Sequence, residues 1–253
     1  MRLIRPAQPR HATRNAVVVA LLMLIVGCAA LVLMAFLPPE RIVPIALLGI
    51  SAALGLGVGS TSTVRAFSAG RRRSEQAGED LARVLAPAFD DTYVLILAPR
   101  LPGVPRDLAA LLVGPPGVRV LLARRWHGRY RVRGRGWEYD THSADGWIPC
   151  VTNPSFEGEA VTAAVARWAE AALGESGLPL APAIAFPRSY STIILEDPEG
   201  EIVTTDNAPW WAQRIGRVQR MDPSRVARFV EAVMAAAEAP SDERHPAASP
   251  RVA

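Results

Sequence analysis

Two long uncharged stretches govern what this chain can fold into. Residues 16–37 and 42–64 contain no Asp, Glu, Lys, Arg or His. At ~1.5 Å per helical residue the first reaches ~33 Å, enough to cross a hydrocarbon core. Pro38, Pro39, Glu40 and Arg41 form a short polar break between the two, so the pattern predicts a transmembrane helical hairpin over 16–64. In its second arm Gly49, Ala53 and Gly57 recur every fourth residue. That places them on one face open to close approach by the first helix, although Gly and Ala are common throughout membrane helices. A cleaved leader is not expected: the apolar run is too long, no A-x-A-like site closes it, and a second apolar segment follows.

Charge placement then sets orientation. Residues 1–73 carry nine arginines against Glu40, a balance of +8, while residues 74–253 carry nineteen arginines against twenty-three acids, a balance of −4. The excess flanks the two spans, in a basic N-terminus over 1–15 and in a juxtamembrane linker over 65–73 with Arg65, Arg71, Arg72 and Arg73. The positive-inside rule therefore expects both ends, and the soluble part, in the cytoplasm of a two-span protein of the inner or plasma membrane. The linker arginines are placed to hold anionic headgroups of the bilayer. Cys28 lies in the first span and Cys150 stands alone in the soluble part, which excludes a disulfide framework and cysteine-based metal spacing. All 28 basic residues are arginine; there is no lysine.

Residues 74–238 read as one α/β domain followed by a polar, Pro-rich tail over 239–253 that is expected to be disordered. Ser74 caps a helix ending before Pro87. Apolar runs at 93–98, 108–113 and 118–123 predict three strands, the last two joined by a tight Gly114-Pro115-Pro116-Gly117 turn. Residues 128–139 predict an edge hairpin arm of the same sheet. Asn153-Pro154 opens a helix stopped by Gly174, 183–186 predicts a fourth core strand, and 193–195 with 202–204 predict a small hairpin. A short helix over 210–217 and a last helix capped by Asp222-Pro223 complete the order.

The segments Gly78-Glu79, Leu101-Pro102-Gly103, Asp107-Leu108-Ala109-Ala110, Val113-Gly114-Pro115, Gly117-Val118, Trp126-His127-Gly128, Asn153-Pro154 with Phe156, and Phe186-Pro187 together resemble the NERD (nuclease-related) domain. That family belongs to the restriction-endonuclease-like PD-(D/E)XK superfamily, and the match covers most of residues 76–205. The resemblance implies a restriction-endonuclease-like mixed sheet flanked by helices. In the family, a carboxylate on the second strand and an acid-x-lysine pair on the third hold a divalent metal and the attacking water, because residues two apart on a strand share a face. Here the matching positions are Ala109 and Leu122-Ala123-Arg124. Asp107 and Glu79 remain as candidate carboxylates. Arginine stays protonated and cannot serve as a base, and leucine offers Mg²⁺ no oxygen. The expectation is a nuclease-like domain with a degenerate site, no bound metal and no cofactor, Mg²⁺ entering only if the site is active.

Arg129, Arg131, Arg133 and Arg135 alternate along one segment, which on a strand lines four guanidinium groups at ~6.6 Å intervals. This comb fits a nucleic-acid backbone, anionic lipid, or a solvated edge strand protected by charge. His127 and His142 read as surface histidines, and of the adjacent Trp210 and Trp211 one is expected in the core and one outside. The partner classes are thus the bilayer, nucleic acid, or a protein bound by a membrane-tethered interaction module.

Overall fold

The computed structural model describes residues 1–6, 75–105, 108–142, 146–188 and 190–238. The expected hairpin over 16–64, the linker arginines Arg65, Arg71, Arg72 and Arg73, the candidate carboxylate Asp107 and the tail over 239–253 lie outside the described residues. Among the described residues no helix is long and apolar enough to cross a membrane.

The protein is α/β, with two mixed sheets and flanking helices. A main sheet of six strands has the spatial order β1 (Arg2–Ile4), β2 (Val94–Leu97), β3 (Ala110–Gly114), β4 (Gly117–Ala123), β8 (Leu180–Phe186), β10 (Glu201–Thr204). Strands β2, β3 and β4 form an antiparallel meander, whereas β8 runs parallel to β4 and β10 parallel to β8. A second sheet of four strands has the order β7 (Trp147–Pro149), β6 (Gly136–Asp140), β5 (Gly128–Gly134), β9 (Ser191–Pro198).

Strands β2 and β3 are buried at every position, as expected of strands covered on both faces. Side-chain alternation divides the core in two. Leu95, Leu97, Ala110, Leu112 and Leu121 face helix α1 (residues 75–85) and helix α3 (Ala208–Gly216). Ile96, Leu111, Val120, Leu122 and Ile184 face α2 (Pro154–Leu173) and α4 (Pro223–Glu238). Trp211, Phe186 and Phe229 are among the largest fully buried side chains, each stabilising by about 2–3 kcal/mol through removal from water.

Local chemistry fixes the helix ends as the sequence predicts. Asn153 accepts a hydrogen bond from Ser155 N–H at 2.9 Å, Gly174 takes the left-handed conformation with its N–H on Glu170 O at 3.0 Å, and Asp222 accepts from Arg225 N–H at 2.9 Å.

Two expectations require correction, and one strand was not anticipated. Residues 128–139 do not form an edge arm of the main sheet: they supply β5 and β6 of the second sheet, and β5 has a neighbour on each side. Residues 193–195 and 202–204 are not a hairpin either, because β9 pairs parallel with β5 while β10 pairs parallel with β8. The intervening turn at Pro198 and Gly200 carries the chain from one sheet to the other. Finally, β1 is a strand of the main sheet, with Arg2, Leu3 and Ile4 opposite Val94, Leu95 and Ile96; the N-terminal arginines obscured it.

Candidate anion-binding site at the strand ends

The parallel pair β4 and β8 ends in register, Ala123 opposite Ala185, and Arg124 N–H donates to Ala185 O at 2.8 Å. The two chains leaving these ends carry Arg124-Arg125 and Pro187-Arg188, side by side. Open α/β sheets bind ligands outside the carboxyl ends of such strands.

At the centre of this edge sits Asp80, on α1, 3 % exposed and the buried charged residue of the described core. Its Oδ2 accepts from Arg188 Nε at 2.6 Å and from Arg125 Nη2 at 3.2 Å, and its Oδ1 from Arg83 Nη1 at 3.2 Å. Arg125 Nη1 also donates to Gln76 Oε1 at 3.1 Å. Burial alone would raise the Asp80 pKa. The Arg188 hydrogen bond and the charges of Arg188, Arg125 and Arg83 outweigh it and hold the carboxyl below its usual range. Three guanidinium groups around one carboxylate leave a local balance of +2. The Arg125 Nε–H is buried with no hydrogen-bond partner among the described residues.

Aromatic rings extend the cluster outward. The Arg188 guanidinium carbon lies 5.7 Å from the Tyr190 ring centre, and Tyr190 stacks on His127 at 5.1 Å with 7° between planes. Tyr190 is 52 % exposed and His127 is exposed. Below this platform Trp126, Trp137 and Phe186 meet at 5.7–5.9 Å and lock the second sheet to the main one.

The positions matched to the metal motif do not converge. Ala109 N–H donates to Leu121 O at 3.1 Å although Leu121 is the registered partner of Ala110. Two residues thus oppose one, as in a β-bulge. The bulge turns Ala109 into the α1-side core, where Gly78 packs against its carbonyl. Leu122 lies 1 % exposed in the opposite core. Arg124 Nη2 is ion-paired with Glu157 in the first turn of α2. Glu79 is exposed, 3.5 Å from Arg5, and lines a separate cleft with Glu75 and Arg100. Mg²⁺ requires oxygen ligands, and neither Ala109 nor Leu122 supplies one; of the described carboxylates at the strand ends, Asp80 is enclosed by arginine and Glu157 is paired with Arg124. Among the described residues no group of three His, Cys, Asp or Glu side chains is arranged to hold a metal.

The expected four-tooth comb is shorter than the sequence suggests: Arg129, Arg131 and Arg133 lie on β5, Arg135 lies past its end in the turn to β6 because Gly134 takes a positive φ, and each of the four has an acidic partner. Arg129 pairs with Asp140 at 3.0 Å, Arg131 with Glu138 directly across the β5–β6 ladder, Arg133 with Glu196 across β5–β9, and Arg135 with Glu159 of α2. Arg131 also covers Trp147 at 4.7 Å and Arg135 covers Phe156 at 4.8 Å. Cross-strand pairing, not edge protection, accounts for the alternation. Cys150 packs against the core, and burial pushes its thiol pKa up, keeping it protonated.

Sequence reasoning missed Asp80, Arg83, Arg125 and Arg188. The available signal was an acid directly after Gly78-Glu79 together with the Arg124-Arg125 doublet after an apolar strand, but only the fold brings residues 45 and 108 positions apart onto one carboxylate. No family model, no curated protein and no solved structure matches this chain.

Proposed function

We propose that this chain is a membrane-anchored protein with a nuclease-like domain that binds nucleic acid, or a partner carrying it, without metal-dependent cleavage. The observation that carries the reading is the surplus of guanidinium charge at the ends of β4 and β8, beside exposed rings; among the described residues no group of three His, Cys, Asp or Glu side chains is arranged there to hold a metal. The order helix, three-strand meander, helix, parallel strand supports a restriction-endonuclease-like sheet. Two uncharged stretches of spanning length support the anchor.

The test is binding of the full-length chain, in detergent micelles, to labelled single- and double-stranded oligonucleotides across a salt series, with Mg²⁺ or Mn²⁺ added in a parallel cleavage assay. Binding that weakens steeply with salt, without cleavage, is the expected result. Absence of binding at low salt sinks the reading.

A second reading, a membrane-tethered protein-interaction module, is favoured by the internal pairing of the comb and by Trp210, which is 59 % exposed beside Arg214. Capture of a protein partner by the full chain, lost in Trp210→Ala, would support it.

A further inference from the structure

We infer that the Asp80 cluster and the Tyr190–His127 stack form a subsite for one nucleotide of a single strand, a backbone phosphate on Arg125 and Arg188 and its base on the exposed rings. This rests on the nucleic-acid reading above and deepens it.

The two halves of a nucleotide ask for different chemistry, and both kinds lie together here. A phosphate diester carries one charge and prefers the planar, forked donors of arginine. Arg188 uses Nε on Asp80 and Nη1 on the Tyr190 hydroxyl at 3.4 Å, which leaves Nη2 without a partner among the described residues. Arg125, whose side chain is 28 % exposed, adds its charge beside that group while its two Nη atoms are held by Asp80 and Gln76. Asp80 fixes both forks without neutralising them, so the donors are positioned before a ligand arrives. Its depressed pKa keeps that anchor ionised at neutral pH.

A base requires a flat apolar face. Tyr190 and His127 present two nearly parallel rings at the surface, and Tyr190 is held at its backbone by Gly128 N–H on its carbonyl at 3.3 Å. Ring faces of this kind take unstacked bases, which a single strand offers and a duplex conceals. The paired comb argues in the same direction. With Arg129, Arg131, Arg133 and Arg135 each facing an acid, this segment offers no row of uncompensated charge to a duplex backbone, and the surplus around Asp80 is local.

The test uses the full-length chain in detergent micelles with a fluorescein-labelled oligothymidylate read by anisotropy at low salt. Tyr190→Ala is expected to weaken binding about 10-fold, Tyr190→Phe to stay within about 3-fold, and a duplex of the same length to bind at least about 10-fold more weakly. Arg188→Ala is expected to reduce the slope of log affinity against log salt by about 0.7, and Arg188→Lys, which keeps the charge and tests for folding, to preserve most of that slope. Single-strand binding untouched by Tyr190→Ala, or a preference for the duplex, would overturn the subsite and leave the nucleic-acid reading standing. Competition by thymidine monophosphate at the same concentration as the strand would also overturn it, since the ligand would then be a free nucleotide. Failure of every oligonucleotide to bind at low salt would remove both.

Discussion

Asp80 shows how one buried residue organises a surface. Its carboxylate gathers side chains from α1, from the loop after β4 and from the loop after β8, so its removal leaves like charges facing one another at close range. Asp80→Ala should destabilise the full-length chain by about 3 kcal/mol, read as a lower urea midpoint in tryptophan fluorescence, because a buried acceptor of three charged donors is lost. The pH dependence has a definite sign. The folded-state pKa of Asp80 lies below the ordinary carboxyl range, so its contribution is complete above about pH 5 and is lost as pH falls through the lowered value. Acid unfolding of the native protein should therefore include a step that Asp80→Asn abolishes; an identical acid profile in both would remove the assignment. Trp211 and Trp210 illustrate what single residues reveal in advance. Adjacent positions on a helix face different ways, and one indeed lies 1 % exposed in the core and the other 59 % exposed.

Elements were legible where a local rule decides them. The caps at Asn153, Gly174 and Asp222 and the Gly114–Gly117 turn follow from hydrogen-bonding and backbone preferences that act within a few residues. Sheet membership was not legible, because β9 and β10 carry the same alternating pattern whether they pair with each other or with separate sheets. The bulge at Ala109 was hidden for a similar reason, since its cause is the partner strand. Gly117 combines a φ of +114° with Pro179 O only 2.2 Å from where a Cβ would stand. Gly117→Ala should cost more than about 2 kcal/mol, because both the conformation and the backbone contact resist adjustment; a thermal midpoint within a degree of the parent would contradict this. The comb makes the converse prediction. Arg131→Ala and Arg133→Ala together should change oligonucleotide affinity by less than about 3-fold, because internally paired charges neutralise few phosphates. A 10-fold loss by anisotropy would return the comb to the binding surface.

At the scale of the whole molecule, the fold joins parts of the chain that the sequence separates. Fold class emerged from the sequence because helix and strand periods persist over many residues, whereas the strand β1 is three residues long and lies among arginines. Its parallel pairing with β2 places Arg2–Ile4 and the helix over 75–85 in one folded unit. Both ends of the segment 7–74 are therefore fixed to the same folded unit. A path of that kind pierces a bilayer an even number of times or not at all, whatever its hydropathy. Leu3→Cys and Tyr190→Cys, both at exposed positions, should accordingly react with an impermeant maleimide from the same side of sealed vesicles; labelling from opposite sides would rule out the β1–β2 pairing in the membrane. On the proposed membrane anchor, this three-residue strand fixes the parity of crossings, and inserting one additional span between residues 7 and 74 would set the anchor against the edge of the sheet.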